Sequence, residues 1–203
     1  MIQSGTIDPD KRLRLICCGI LKKEIKQLVE KNQWPIKSTF LDSSLHIDFE
    51  KLSNTLTRVL SKNQQKKLVV YGTCHPKMDE ILSEANAVRT PGQNCVELLL
   101  GREKFSLELS KGAFFLFEDW AKRWEDISYN YFGNWDIMRE IFQDAHKYIL
   151  CIRTPCSGNF DTYANQVSLR IGLPLVWKDF KLDQLEKTLA KSVFELIDRQ
   201  IND

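Results

Sequence analysis

Short continuous apolar runs recur along this chain, each closed by a glycine or polar break and followed by a segment of helical periodicity, and this alternation leaves few folds open. Leu13-Arg14-Leu15-Ile16-Cys17-Cys18, Lys67-Leu68-Val69-Val70-Tyr71, Gly112-Ala113-Phe114-Phe115-Leu116-Phe117 and Tyr148-Ile149-Leu150-Cys151-Ile152 are the runs. They lack the in-out alternation of a half-solvated strand, so each predicts a strand covered on both faces. Strand, short connection and helix in repeated order predict an α/β fold, with a mostly parallel sheet and helices on both faces. No Pro/Gly/Ser linker, low-complexity tract or fixed-period repeat divides residues 1–203. One α/β domain is expected, with residues 1–10 as a flexible N-terminal tail.

The intervening segments carry matching signals. Residues 20–31 place Ile20, Leu21, Ile25, Leu28 and Val29 on one helical face. Residues 34–41 predict a second strand, Asp42-Ser43-Ser44-Leu45-His46 a polar turn, and Asp48 an N-cap for a helix bearing Phe49, Leu52, Leu56, Val59 and Leu60. A helix over 77–85 with Pro76 in its first turn, a brief strand at 87–89 and a turn at 90–93 come next. Asn94 then caps a helix that stops at Gly101. Residues 136–146 predict a further helix, Asn159 caps one running to Ile171, residues 175–177 read as an edge strand, and Leu182, Leu185, Leu189, Val193 and Leu196 mark a closing helix. That last repeat is too short for a committed coiled coil but leaves a helix-mediated homodimer open.

Charge narrows the partners. The formal net charge is +2, from 29 basic and 27 acidic residues, with no long single-sign run, so neither nucleic acid nor a membrane surface is expected as a partner. The basic loop at 62–67 reads as solvated. No apolar segment approaches the roughly 20 residues of a membrane span. The start Met1-Ile2-Gln3-Ser4-Gly5 lacks the order of a secretory signal, so a cytoplasmic location is expected. In that reducing setting the six cysteines read as buried thiols, metal ligands or reactive groups rather than structural disulfides.

Tyr71-Gly72-Thr73-Cys74-His75-Pro76 puts a thiol and an imidazole in the connection after a buried strand, at the carboxyl edge of a parallel sheet, where ligands bind. Cys18 and Cys156 also follow buried runs, and Cys95 falls in a helix's first turn. Cys17 and Cys151 lie within strands and read as small buried side chains. Cys18, Cys74, Cys95 and Cys156 brought to one edge would form a thiolate cage without CxxC spacing, acceptable to tetrahedral zinc or an iron-sulfur cluster. Ordinary core cysteines are the competing reading, because sequence supplies no distance between them. His75 can replace a thiol as ligand or act as acid or base, whereas His46 and His146 read as surface or capping groups. Glu118 and Asp119 read as the start of a helix before a carboxylate dyad. There is no GxGxxG, GxxxxGK[ST], HExxH or GxSxG pattern, which leaves the common nucleotide, metalloprotease and hydrolase readings without support. Trp120, Trp124, Tyr129, Tyr131, Phe132 and Trp135 crowd one segment and read first as core, with a lid or partner-docking surface as alternatives.

Ile16-Cys17-Cys18-Gly19-Ile20-Leu21-Lys22-Lys23-Glu24, the 42–46 turn, Tyr71-Gly72-Thr73-Cys74 and Asn94-Cys95-Val96-Glu97-Leu98-Leu99-Leu100-Gly101 resemble an uncharacterised bacterial and archaeal domain-of-unknown-function family. Its members share a Cys-Gly first loop, a Tyr-Gly-x-Cys loop and a Cys-x-x-Leu-Leu-Leu-Gly helix. The resemblance implies that Cys18, Cys74 and Cys95 are shared thiols, and it associates some members with corrinoid-dependent methyl metabolism in anaerobes. The expected function is metal or iron-sulfur binding through Cys18, Cys74, Cys95 and Cys156. Zinc or a cluster is the expected cofactor, a corrinoid enters by family association only, and a redox or methyl-transfer protein is the expected partner. One alternative is a methyltransferase or thiol-dependent enzyme in which His75 or Glu97 handles protons. The other is an accessory protein that binds a partner through residues 120–135.

Overall fold

The apolar runs become strands, and every strand among the described residues pairs in parallel with its neighbours. The computed structural model describes residues 13–62 and 66–201; the expected tail at 1–10 and the middle of the basic loop lie outside the described residues. The chain forms two compact units, residues 1–91 with 187–203 and residues 92–186.

In the first unit β1 (Leu13–Cys18), β2 (Ile36–Leu41), β3 (Lys67–Val70) and β4 (Ala87–Arg89) form a sheet in the order β2-β1-β3-β4. A strand covered on both faces is apolar on both, and in β1 and β3 Leu15, Cys17, Leu68 and Val69 are accordingly buried. β2 lies at the edge and reverts to alternation, with Ile36 and Leu41 buried and Lys37 and Thr39 exposed. The connections are α1 (Lys22–Lys31), α2 (Phe49–Leu60) and α3 (Met78–Glu84), of which α1 buries Ile25 and Leu28 and α2 buries Leu52, Leu56 and Leu60. Asp48 caps α2 by accepting from the Lys51 N–H at 3.0 Å, as its position predicted. Asp42 does the same for the short 3-10 turn Ser43–Ile47, accepting from the Ser44 N–H at 2.8 Å. Gly19 answers a close approach: a Cβ there would lie 2.7 Å from the Leu41 carbonyl oxygen, so the turn leaving β1 passes the end of β2 only as glycine.

The second unit holds α4 (Cys95–Leu100), α5 (Arg102–Ser110), β5 (Ala113–Leu116), α6 (Glu118–Lys122), α7 (Trp124–Phe132), α8 (Trp135–Ala145), β6 (Tyr148–Arg153), α9 (Asp161–Ile171) and β7 (Leu175–Asp179). Its sheet runs β5-β6-β7. α10 (Asp183–Ile201) closes the chain, with Leu185, Leu189 and Val193 buried. Trp124 lies in the second unit's core, edge-on to Phe114 and Phe142 at 5.6 and 5.5 Å between ring centroids. The core reading of the aromatic segment therefore holds for Trp124, and Trp120, Phe132 and Trp135 pack against the same cluster while Tyr131 is exposed.

α5 was not expected, and its composition explains why. Phe105, Leu107 and Leu109 alternate with polar residues as in a strand, and of the three only Phe105 is buried. Its anchor is instead polar. Glu108 accepts from Lys178 Nζ at 2.7 Å, from the Tyr148 hydroxyl at 2.8 Å and from Lys111 Nζ at 3.3 Å. Burial opposes its ionisation, but the Lys178, Tyr148 and Lys111 hydrogen bonds outweigh it and hold the carboxyl down at about 2. The α/β class with parallel strands and flanking helices is the expected one; the strands divide between two sheets instead of continuing as one. Among the described residues no helix is long and apolar enough to cross a membrane.

Candidate thiol site

In the order β2-β1-β3-β4 the chain leaves β1 towards β2, returns past β1 to β3 and continues outward to β4. The order reverses between β1 and β3, so the connections after these two strands diverge and open a crevice at their carboxyl ends, where ligands bind in open parallel sheets. Cys18 is the last residue of β1, and Cys74 lies in the connection after β3. The fold thus puts one thiol on each side of its own switch point. Cys18 is buried and Cys74 half-buried. Burial pushes the Cys74 thiol up and Cys18 beside it adds to the rise, while a hydrogen bond with the Gly72 backbone and the Arg89 guanidinium pull partly the other way. The two thiols therefore lie within electrostatic reach of each other.

Arg89, at the end of the neighbouring strand β4, holds Asp79 Oδ1 through Nε at 2.9 Å and donates to the Thr90 carbonyl at 3.3 Å. It was not singled out from sequence; the only signal was its place at the end of the run Ala87-Val88-Arg89, because the register that sets it beside Val69 comes from sheet order. His75 accepts a hydrogen bond at Nδ1 from the Lys77 N–H at 3.0 Å, and its ring meets Phe49 edge-on with centroids 5.7 Å apart.

Cys95 and Cys156 belong to the second unit. Cys95 is the first residue of α4, behind a reciprocal cap: Asn94 Oδ1 accepts from the Glu97 N–H and Glu97 Oε2 from the Gln93 N–H, both at 2.9 Å. The Glu97 carboxylate is thus engaged at the helix start. Cys156 sits half-buried in the loop after β6, where its N–H donates to Thr154 Oγ1 at 3.2 Å and the Thr154 N–H donates to Ser157 Oγ at 2.9 Å. Within either unit, no group of three or more His, Cys, Asp or Glu among the described residues is placed to hold a metal ion.

Cys17 and Cys151 are buried within their strands as expected, and burial pushes Cys151 up to about 12. Glu118 does begin a helix. Its Oε1 holds Lys122 Nζ at 2.6 Å and its Oε2 accepts from the Gly158 N–H at 2.8 Å, tying the Cys156 loop to α6. His146 follows the last turn of α8 with its N–H on the Phe142 carbonyl and its ring on Phe114 and Phe142, a capping role. His46 is half-buried within the Ser43–Ile47 turn, where burial lowers its pKa.

Two solved structures are similar over most of the chain. One, "Crystal structure of sugar transporter from Clostridium phytofermentans", is 8% identical, with a TM-score of 0.43 over 95% of this chain and 94% of its own. The other, "Thioesterase Domain From Curacin Biosynthetic Pathway", is 10% identical, with a TM-score of 0.34 over 94% of this chain and 92% of its own. Likeness at that level carries no argument about function. No curated protein sequence matches the chain. Of the stretches that carry the family resemblance, 42–46, 71–74 and 94–101 fall within the residues matched by a family model, and 16–24 precedes them. That model, described as "Protein of unknown function (DUF1638)", matches residues 40–189, most of the chain, and this protein therefore belongs to that family.

Proposed function

We propose that this protein binds a soft metal ion through the thiolates of Cys18 and Cys74, in the crevice between β1 and β3. The observation that carries the reading is the coincidence of two thiols, in electrostatic reach of each other, with the one point where the first sheet's strand order reverses. Burial and the neighbouring Cys18 both hold the Cys74 thiol back from ionising. A cation bound between them replaces the protons and relieves both burdens at once, and zinc and similar soft ions favour thiolate over oxygen donors.

The same chemistry weighs against a thiol-dependent enzyme. A nucleophilic cysteine is activated by a lowered pKa, and that of Cys74 is raised. Two thiolates fill half of a tetrahedral set, so a bound ion keeps positions for an external ligand and for Lewis-acid chemistry. A single ion suits a two-thiol set better than an iron-sulfur cluster, which takes four thiolates. A place in anaerobic one-carbon or redox metabolism, with a redox or methyl-transfer protein as partner, goes with this reading through the family resemblance alone. Metal analysis and an absorption spectrum of anaerobically purified, metal-replete protein test it. The expected result is about one soft metal ion per chain. Iron with matching acid-labile sulfide would replace the single ion by a cluster, and protein free of metal that also takes up no cadmium would overturn the proposal.

A further inference from the structure

His75 directly follows Cys74, and its ring is fixed from two sides. Nδ1 accepts from the Lys77 N–H at 3.0 Å, and Phe49 lies edge-on at 5.7 Å with an interplanar angle of 81°. A ring nitrogen that accepts a hydrogen bond carries no proton, so the neutral imidazole holds its proton on Nε2. What His75 offers a bound molecule is a donor N–H, whereas a metal needs a lone pair. To ligate through Nε2 the ring would have to move its proton to Nδ1 and set it against the Lys77 N–H, the opposite of the partner that metal-bound histidines have at their second nitrogen. Arg89 adds a guanidinium within electrostatic reach of Cys74 from the adjacent strand. An N–H donor on the connection after β3 and, at the end of β4, a guanidinium that pairs with Asp79 through Nε favour a negatively charged planar group over a neutral one.

We infer that His75 is not a metal ligand but a hydrogen-bond donor, through Nε2–H, to a small carboxylate that binds beside Cys74. The inference rests on the Cys18–Cys74 crevice being the ligand site, and it specifies the class of molecule that completes it. His75 then positions the ligand's carboxylate while the thiols hold the cation.

Three readouts test this separately from metal binding. A long-range proton–nitrogen spectrum of the metal-free protein should show His75 protonated at Nε2; protonation at Nδ1 would overturn the inference whether or not metal binds. The second readout is alkylation of Cys74, followed by mass spectrometry of its peptide, with iodoacetate as the carboxylate probe and iodoacetamide as its neutral counterpart. The iodoacetate-to-iodoacetamide rate ratio should fall about threefold to tenfold in His75→Ala, the worth of one hydrogen bond to a charged acceptor, and return to within about twofold in His75→Gln, whose amide keeps a donor. An unchanged ratio in His75→Ala would refute the donor role. Third, the metal-to-protein ratio should be the same in wild type, His75→Ala and His75→Gln, and loss of metal in both variants would make His75 a ligand after all. A wild type that holds no metal sinks the metal proposal and leaves the first two readouts intact.

Discussion

Replacing Glu108 by Gln keeps the shape of the side chain and one acceptor while removing the charge that Lys178 and Lys111 face at 2.7 and 3.3 Å. The folded carboxyl is held at about 2 against an ordinary 4.5. A difference of that size corresponds to about 3 kcal/mol of stability at neutral pH as an upper bound. The Lys178 and Lys111 side chains are 42% and 50% exposed, so solvent screening reduces their part. The expected cost of Glu108→Gln at pH 7 is therefore about 2 kcal/mol. The sign with pH follows from a depressed folded pKa: the stabilisation is fully present above the unfolded value near 4.5 and is lost as pH falls towards about 2. Urea denaturation followed by tryptophan emission is a suitable assay, because Trp120, Trp124, Trp135 and Trp177 all lie in the second unit with Glu108. The gap between wild type and variant should be wide at pH 7 and close as the pH approaches 2. A variant as stable as wild type at pH 7, or a gap that does not change with pH, would refute the electrostatic account of this network.

The other predictions concern the thiol-bearing strands. Gly19→Ala puts a Cβ 2.7 Å from the Leu41 carbonyl, so it should cost about 2 kcal/mol and weaken metal binding through displacement of Cys18; paired denaturation and cadmium titration check it, and an unaffected variant would mean that the turn has room. Because the Cys74 thiol is pushed up, bound metal must displace its proton, and apparent affinity should climb by up to about tenfold per pH unit for each proton released. Competition titrations from pH 6 to pH 8 should show that climb, and a flat profile would remove thiolates from the binding step. Cys151→Ser places a hydroxyl in a fully buried strand position and should cost about 1 to 3 kcal/mol in chemical denaturation; wild-type stability would mean that the hydroxyl finds a partner there.

Local signals carried the strands and caps far. β1 and β4, the Asn94 cap and the stop at Gly101 occur where the apolar runs and capping residues place them, because those features are fixed within a few residues of chain. Pairing between strands is not local. The runs at 67–71 and 148–152 look alike as sequence, yet one pairs in the first sheet and the other in the second, and no residue in either says which. That is why a single carboxyl edge was expected for Cys18, Cys74, Cys95 and Cys156, while the structure assigns the first two to one sheet's switch point and the last two to the other unit. α5 was missed because its leucines stay exposed and its anchor is an ionic network spanning 70 residues between Glu108 and Lys178. The inference drawn for His75 rests on a hydrogen bond from a backbone N–H two residues on, a detail of turn geometry without a sequence pattern.

The central claim is that Cys18 and Cys74 hold the metal, and its most direct test is the metal-to-protein ratio of folded Cys18→Ser, Cys74→Ser and Cys151→Ser proteins prepared anaerobically beside wild type, with circular dichroism confirming the fold. A serine hydroxyl stays protonated and binds soft cations weakly. Cys18→Ser and Cys74→Ser should therefore lose most of the metal, while Cys151→Ser keeps the wild-type ratio per folded molecule; equal ratios in all four proteins would contradict the claim and leave Cys18 and Cys74 as ordinary thiols at the end of a sheet.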